Sequence, residues 1–395
     1  MEKFFSFVLL IALFFFISGT NVHADLVSDG RVLLFNYGNP TYSGILAANQ
    51  KFKDALSINP NNQEAHLFYA VTSLGAFALQ NGGGGGLETL RDVFEAFGMV
   101  RNSNNFIEYS PGDAPYDAEY NSPYDAPTQF PANAPSGEAL RQFLAGPVMI
   151  LLNNSIINLD KINSTFQTIL TTDETGDEAV EVDYGDVLMF KGILNAGKCL
   201  ISIISSYNIN IDTDEILNKV KNDQFGITPD LLNAYPNFLI LLSGGVNTLQ
   251  SAEAKLLDTI NNYLNASNFI RAETDDQFND LIAFDPDDLQ DEELFRQNLI
   301  MLRVSLNNNT TADLTDGVEH ISLNLNLLFG HGSGPFDLRD FLPRFDRNND
   351  PIAGTVGSGL GNDATLGGIL PGFSQSDWGV PSIAMPWIPL LLFDN

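Results

Sequence analysis

The sequence predicts a mainly α protein, built as a helical-hairpin bundle or a short α-solenoid with an irregular, partly β C-terminal segment. Up to about residue 310, apolar residues recur with the helical period in most segments. Residues 311–395 instead combine one alternating stretch with runs rich in glycine and proline. The chain has 395 residues, 44% of them hydrophobic, which is enough to bury a sizeable core.

Residues 1–24 are predicted to be a secretory signal peptide. Lys3 precedes the apolar run Phe4–Ile17, and Val22-His23-Ala24 fits a cleavage site after Ala24. Because Cys199 is the only cysteine, we expect no intrachain disulfide. No later run is judged long and charge-free enough for a transmembrane segment after cleavage. We therefore expect an exported bacterial protein, either periplasmic or extracellular.

Residues 25–100 are predicted to form helical hairpins. Small and aromatic side chains at helical spacing let two helices approach closely, and a proline ends the first helix before the second begins. The positions that define this pattern are Ala48, Phe52, Ala55, Pro60, Ala65, Tyr69 and Ala70. Beyond them, Leu90 and Phe94 mark a short amphipathic helix that ends at Gly98.

Within Ser43–Gln80, the stretch KFKDALSINPNNQEAHLFYA resembles the junction between two tetratricopeptide repeats. The resemblance implies a pair of packed helices and, by analogy with the family, contacts with another protein. It does not continue along the chain. Pro40 departs from the pattern upstream, and Gly82–Gly86 interrupts the repeat period downstream.

Residues 101–136 are rich in proline, tyrosine and aspartate and are predicted to form a loop or strap. Two alternatives remain for it, a functional loop and an extended strap packed over a helical surface. Residues 137–310 form the predicted helical body, with Pro147 near a helix start and Thr171–Asp186 as an acidic loop. In residues 311–395, the alternation of Ile321–Leu327 predicts a strand within an irregular segment packed on the body.

Charge and motifs exclude several functions. The 49 acidic and 19 basic residues give a net charge of −30, which disfavours nucleic-acid binding. Gly192–Cys199 approaches a P-loop, but Cys199 replaces the metal-binding hydroxyl and the pattern places Lys198 mid-helix, so we expect no nucleotide. His66, His320 and His331 lack metal-ligand spacing, and His66 is predicted to pack in the core. No catalytic residue or required cofactor is predicted.

Calcium is the one metal for which the sequence contains candidate ligands. Asp346, Asn348 and Asp350 alternate as in the first half of a calcium loop, although Pro351 stands where an EF-hand needs glycine. Gly359–Leu366, which contains Asp363, resembles one imperfect calcium-binding glycine-rich nonapeptide repeat. The alternative for both stretches is a set of Asx and glycine turns without metal.

These observations favour a non-enzymatic exported helical protein that makes protein–protein or envelope assembly contacts. Its partner-facing residues are expected around Ser43–Gln80, with the proline- and tyrosine-rich strap second. The alternative is a calcium-stabilised extracellular structural protein. A carbohydrate-active enzyme, acting through a carboxylate pair in a cleft, ranks third.

Thermal unfolding with excess calcium or with a chelator tests the calcium alternative. If Asp346 and Asp363 bind the ion, calcium raises the melting temperature by several degrees, because a ligand of the folded state stabilises it. Asp346→Ala or Asp363→Ala then abolishes the shift. Identical melting curves with calcium and chelator would remove this alternative.

Overall fold

The computed structural model describes residues 26–35, 41–101, 124–125, 129–176, 178–221, 227–274, 277–284, 287, 289–332, 336–341 and 365–373. The predicted signal peptide, most of the strap, and the calcium candidates Asp346, Asn348, Asp350 and Asp363 lie outside these residues. The described chain confirms the predicted class, since it is mainly helical with short strands in its C-terminal part.

The helices and strands follow one another along the chain as short hairpins. The helices are α1 (Leu26–Phe35), α2 (Tyr42–Ile58), α3 (Gln63–Leu79), α4 (Leu90–Ala96), α5 (Gly137–Phe143), α6 (Met149–Leu159), α7 (Thr172–Thr175), α8 (Tyr184–Ser205), α9 (Thr213–Lys221), α10 (Ile227–Ala234), α11 (Gly245–Ile270), α12 (Leu289–Asn308) and α13 (Leu325–Leu328). The strands form three antiparallel pairs: β1 (Val100–Arg101) with β2 (Tyr124–Asp125), β3 (Gln167–Leu170) with β4 (Val180–Asp183), and β5 (Ala312–Thr315) with β6 (His320–Leu323).

The long helices pack in chain order. Helix α1 contacts α2, α2 contacts α3, and α3 contacts α6; α6 then packs on α8, α8 on α11, and α11 on α12. Such successive contacts between neighbours are compatible with the predicted bundle of helical hairpins. Thr41 and Asn62 cap α2 and α3, because each side chain accepts a hydrogen bond from a backbone N–H in the first turn.

Two hydrophobic clusters share α8. The N-terminal cluster joins α1, α2 and α3 to α6 and α8, and Phe52 stacks on Phe68 there with ring centroids 5.1 Å apart. The second cluster joins Cys199 of α8 to α11, α12 and Phe329. Helix α8 therefore connects the two cores.

Pro147 lies inside a continuous helix and not near its start, so that prediction was wrong. Residues Leu144–Val148 form a π-helical turn between α5 and α6, with Pro147 within it. Proline lacks a backbone N–H and crowds the preceding turn, and a wider π turn accommodates both effects.

The stretch Thr171–Asp186 is not a loop, as the sequence had predicted. It contains α7, β4 and the first turn of α8, and β4 pairs with β3. Each strand has four residues, and only Leu170 and Val182 are fully buried in them. Strands this short show too little alternation to stand out among acidic residues.

The C-terminal strand is shorter than predicted. Strand β6 ends at Leu323, and α13 follows within the predicted strand range. Asn326 is buried there, and its side-chain amide donates to the backbone oxygens of Ser305 and Thr310. The predicted strand would turn its polar residues, Asn326 among them, toward water. The buried Asn326 contradicts that expectation.

Two described helices, Gly137–Leu159 and Tyr184–Ser205, are long and apolar enough by length and composition to cross a membrane. The expectation that no later run has these properties was therefore wrong. Half of the apolar window in α8 is buried, as in the core helix of a globular protein, whereas 22% of the window in Gly137–Leu159 is buried. Most other residues of the first helix are half-buried, and Ile150 and Ile157 are its large exposed apolar side chains.

Removing the Phe52 side chain tests the N-terminal core. Phe52 is fully buried and stacked on Phe68, so Phe52→Ala should lower the free energy of unfolding by about 3–5 kcal/mol. The adjacent exposed Lys53 provides the control, since Lys53→Ala should change it by less than about 0.5 kcal/mol. Urea unfolding of the three proteins measures both values. Equal effects of the two substitutions would contradict the core assignment.

Candidate functional site

The repeat-like positions lie at the contacts of α2 and α3. Five of them are buried, namely Ala48, Phe52, Ala55, Ala65 and Ala70. Tyr69 is half-buried and packs against the N-terminal cluster, while Pro60 is exposed in the turn between the two helices. These residues therefore build the helix pair, and their side chains leave little surface for a partner.

His66 is buried at the start of α3. Its ring nitrogens lie 2.8 Å from Oδ1 of Asn158 and 2.9 Å from the backbone oxygen of Pro60. Both nitrogens are therefore engaged with protein atoms, in agreement with the predicted packing role. Among the described residues, no group of three or more histidine, cysteine, aspartate or glutamate side chains is arranged to hold a metal ion.

The P-loop-like stretch Gly192–Cys199 lies within α8, and Lys198 is mid-helix as predicted. A helical backbone uses its N–H groups internally, so this stretch offers no phosphate cradle. Burial raises the pKa of the Cys199 thiol to about 11, which keeps it protonated and unreactive at neutral pH.

A cavity of about 60 Å³ lies between the N-terminal helices and the β3–β4 hairpin. Its wall combines side chains of α1, α3, β3, β4 and α8 with Leu281 and Ile282 of the segment that follows a short 3₁₀ turn. That segment is attached to β4, because the N–H of Leu281 donates to the backbone oxygen of Glu181 at 2.9 Å. Among the described lining residues, Asp186 carries the one polar side chain.

Asp186 lines this cavity because it caps α8. Asp183 accepts hydrogen bonds from the N–H groups of Gly185 at 2.8 Å and of Asp186 at 3.2 Å. In return, Oδ2 of Asp186 accepts from the N–H of Asp183 at 2.9 Å, which completes a reciprocal capping box. The Asp186 side chain is thereby held at the first turn of a core helix.

The second oxygen of Asp186 has no hydrogen-bond partner among the described residues. The residue is only 6% exposed, and its Oδ1 atom is buried. Burial raises the pKa of Asp186 well above its ordinary value, and the nearby charges of Asp183, Asp280 and Glu181 raise it further against the lowering effect of the Asp183 hydrogen bond. Both the burial and the neighbouring acids therefore disfavour the ionised form of this carboxyl.

Arg31 links α1 to α3 and to the β3–β4 hairpin through hydrogen bonds and ion pairs. Its Nε donates to Glu174 at 2.6 Å, its Nη2 donates to the backbone oxygen of Ile169 at 2.7 Å, and its Nη1 pairs with Glu64. The guanidinium also lies 5.4 Å from the centroid of the Phe68 ring, whose side chain lines the cavity. The positive charge of Arg31 is thus committed to Glu64 and Glu174.

A second feature is the uncharged surface of α6. No Asp, Glu, Lys or Arg occurs between Gln142 and Leu159, although the whole chain carries a net charge of −30. Ile150 and Ile157, two helical turns apart, are 60% and 56% exposed. We call this the α6 face; it is an uncharged strip in which the exposed Asn154 lies between the two isoleucines.

The chain matches no protein-family model, and no curated protein or solved structure matches it. Neither the buried Asp186 carboxyl nor the α6 face was predicted from the sequence. Asp183-Tyr-Gly-Asp186 before an apolar run is a capping pattern, and it could have indicated the buried carboxyl.

Replacing Asp186 by asparagine tests the cost of burying its carboxyl group. Because the pKa of Asp186 is raised in the folded protein, its contribution favours folding below the unfolded-state pKa and is lost as pH rises toward the folded-state pKa. Asp186→Asn should therefore stabilise the protein at pH 8 by about 1–3 kcal/mol, with a gain that shrinks toward pH 4. Urea unfolding at both pH values measures the gain.

The exposed Glu178 supplies the control, since Glu178→Gln removes the same unit of negative charge at an exposed position. It should give a small gain at pH 8. If both substitutions gave the same dependence on pH, the effect would belong to net charge and not to the buried carboxyl.

Proposed function

We propose that this protein is a non-catalytic, exported helical scaffold that binds a partner protein through the α6 face. The observation that carries the proposal is the charge-free stretch 142–159 of an acidic protein, in which Ile150 and Ile157 are 60% and 56% exposed on one helix face. Two large apolar side chains exposed on one charge-free helix face form a candidate interaction surface. The tetratricopeptide-like character of residues 43–80 supports the same class of function by analogy.

The α6 face replaces Ser43–Gln80 as the proposed contact surface. Among the described residues of α2 and α3, the large exposed apolar side chain is Ile58, which stands at the end of α2. A single exposed apolar residue is ordinary on protein surfaces and needs no partner. In contrast, Ile150 and Ile157 repeat along one helix face without an intervening charge.

A photo-crosslinking amino acid at Ile157 tests the proposal in the cells that make the protein. A partner seated on the α6 face should give one covalent adduct of defined mass from position 157. The same group at Ile58, which is 76% exposed, should give none and serves as the matched control. Ile150→Asp on the same chain should abolish the adduct from 157, because a charge within the apolar contact would have to be desolvated.

Equal adducts from both positions would show that exposure alone governs crosslinking and would contradict the proposal. An adduct that survives Ile150→Asp would contradict it as well. Crosslinking to lipid in place of protein would assign the face to a membrane surface and overturn the protein-binding role.

A further inference from the structure

We propose that the outer side of α12 binds an apolar segment of the same chain, residues 383–393. This inference is independent of the α6 face and of any partner protein. It rests on three observations: exposed apolar side chains on a helix whose other side is packed, a charge-free segment of matching chemistry, and a set of contacts that leads from α12 to the described residues preceding that segment.

The outer side of α12 is apolar and exposed. Its inner side packs in the second hydrophobic cluster through Leu299, Leu302 and Leu306. On the opposite side, Ile300 and Met301 lie one helical turn before Val304, and all three are large exposed side chains. The charge between them, Arg303, turns aside, because its Nη1 donates to Oδ1 of Asn261 at 3.1 Å.

We call Ile300, Met301 and Val304 the α12 face. Single exposed apolar side chains are ordinary on a protein surface, whereas adjacent ones mark contact sites. On the α6 face, the polar Asn154 separates the two isoleucines, but the three residues of the α12 face adjoin one another. The α12 face therefore favours an apolar occupant.

Residues 383–393, which lie outside the described residues, have the composition that this face requires. Their sequence, IAMPWIPLLLF, contains no charged residue in a chain of net charge −30. Removing such side chains from water favours docking on an apolar surface. Pro386 and Pro389 oppose a continuous helix through the segment, so we expect it to dock as an extended chain.

A continuous set of contacts leads from α12 to residues 365–373. The Asn298 side chain fixes β5 on α12, since it donates to the backbone oxygen of Thr315 at 2.6 Å and accepts from the N–H of the same residue at 3.0 Å. Strand β6 pairs with β5, and just beyond β6 the N–H of Asn324 donates to the backbone oxygen of Ile369 at 2.7 Å. The chain thus approaches the segment from the side of the molecule that carries α12.

The link between Phe373 and the segment is long enough to reach the α12 face. Residues 374–382 number nine, and in extended form they span up to about 30 Å. Helix α12 has 20 residues and is therefore about 30 Å long. In the packing order of the helices, α8 and α11 lie between α6 and α12. The α12 face is therefore the nearer of the two exposed apolar helix faces.

Tryptophan fluorescence tests the proposal without an added probe. The chain has two tryptophans, Trp378 in the link and Trp387 in the segment. Val304→Asp places a charge that docking would have to desolvate, so it should move the emission to longer wavelength and raise acrylamide quenching by about twofold. Ile58→Asp adds the same charge at an exposed apolar position of α2 and should leave both values unchanged.

A photo-crosslinking amino acid at Met301 locates the segment directly. Irradiation should join position 301 to residues 383–393, whereas the same group at Ile58 should give no such adduct. An equal mixture of ¹⁵N-labelled and unlabelled protein shows by mass whether each adduct lies within one chain or joins two copies. Adducts within one chain are expected.

Several results would overturn the proposal. Tryptophan emission and quenching that do not respond to Val304→Asp would show that the segment does not contact the α12 face. Adducts that join two copies would assign this face to a second molecule of the chain. The absence of an adduct to residues 383–393 from position 301, or equal adducts from positions 301 and 58, would remove the specific contact.

Discussion

The reciprocal cap between Asp183 and Asp186 is the interaction on which the rest of the structure depends. It turns β4 directly into α8, because the two side-chain carboxyl groups accept hydrogen bonds from backbone N–H groups that the first helical turn leaves without partners. From that point, α8 contributes Val187, Phe190 and Leu194 to the N-terminal core and Cys199 to the second core. The start of one helix thereby fixes the register of both cores.

The cap does not by itself stabilise the site that it creates. A capping interaction contributes about 1 kcal/mol, whereas leaving a buried polar oxygen without a partner costs about 1–3 kcal/mol. Since Asp186 is buried with Oδ1 unpartnered among the described residues, packing must hold it in place. The apolar side chains of α8 and the Arg31 contacts across α1, α3 and the hairpin supply that packing.

The sequence predicts those parts of the fold in which periodicity and burial agree. Helices α2, α3, α8, α11 and α12 all have apolar faces long enough to be recognised, and they occur where predicted. The elements that were predicted wrongly are those in which periodicity and burial disagree. Pro147 is accommodated by a π turn, Asn326 is buried despite its polarity, and β3 and β4 are too short for a pattern. Each depends on tertiary contacts that a local pattern does not contain.

The two candidate sites differ in how far the sequence could have shown them. The α6 face is visible as an uncharged run, and only its exposure required the structure. The Asp186 cavity needs five elements and the segment around Leu281 to meet, and no single stretch contains that information. The capping pattern at Asp183–Asp186 is the one local sequence feature that indicates this cavity.

The net charge of −30 bears on what occupies the α6 face. Two copies of this chain that met through their α6 faces would bring two strongly acidic bodies together, and their repulsion would act over a screening length of about 8 Å at physiological salt. An uncharged strip on such a body is therefore better suited to a different, less acidic partner than to a second copy. Charge thus disfavours a second copy as the partner of the α6 face, while the exposed isoleucines of that face supply the contact surface.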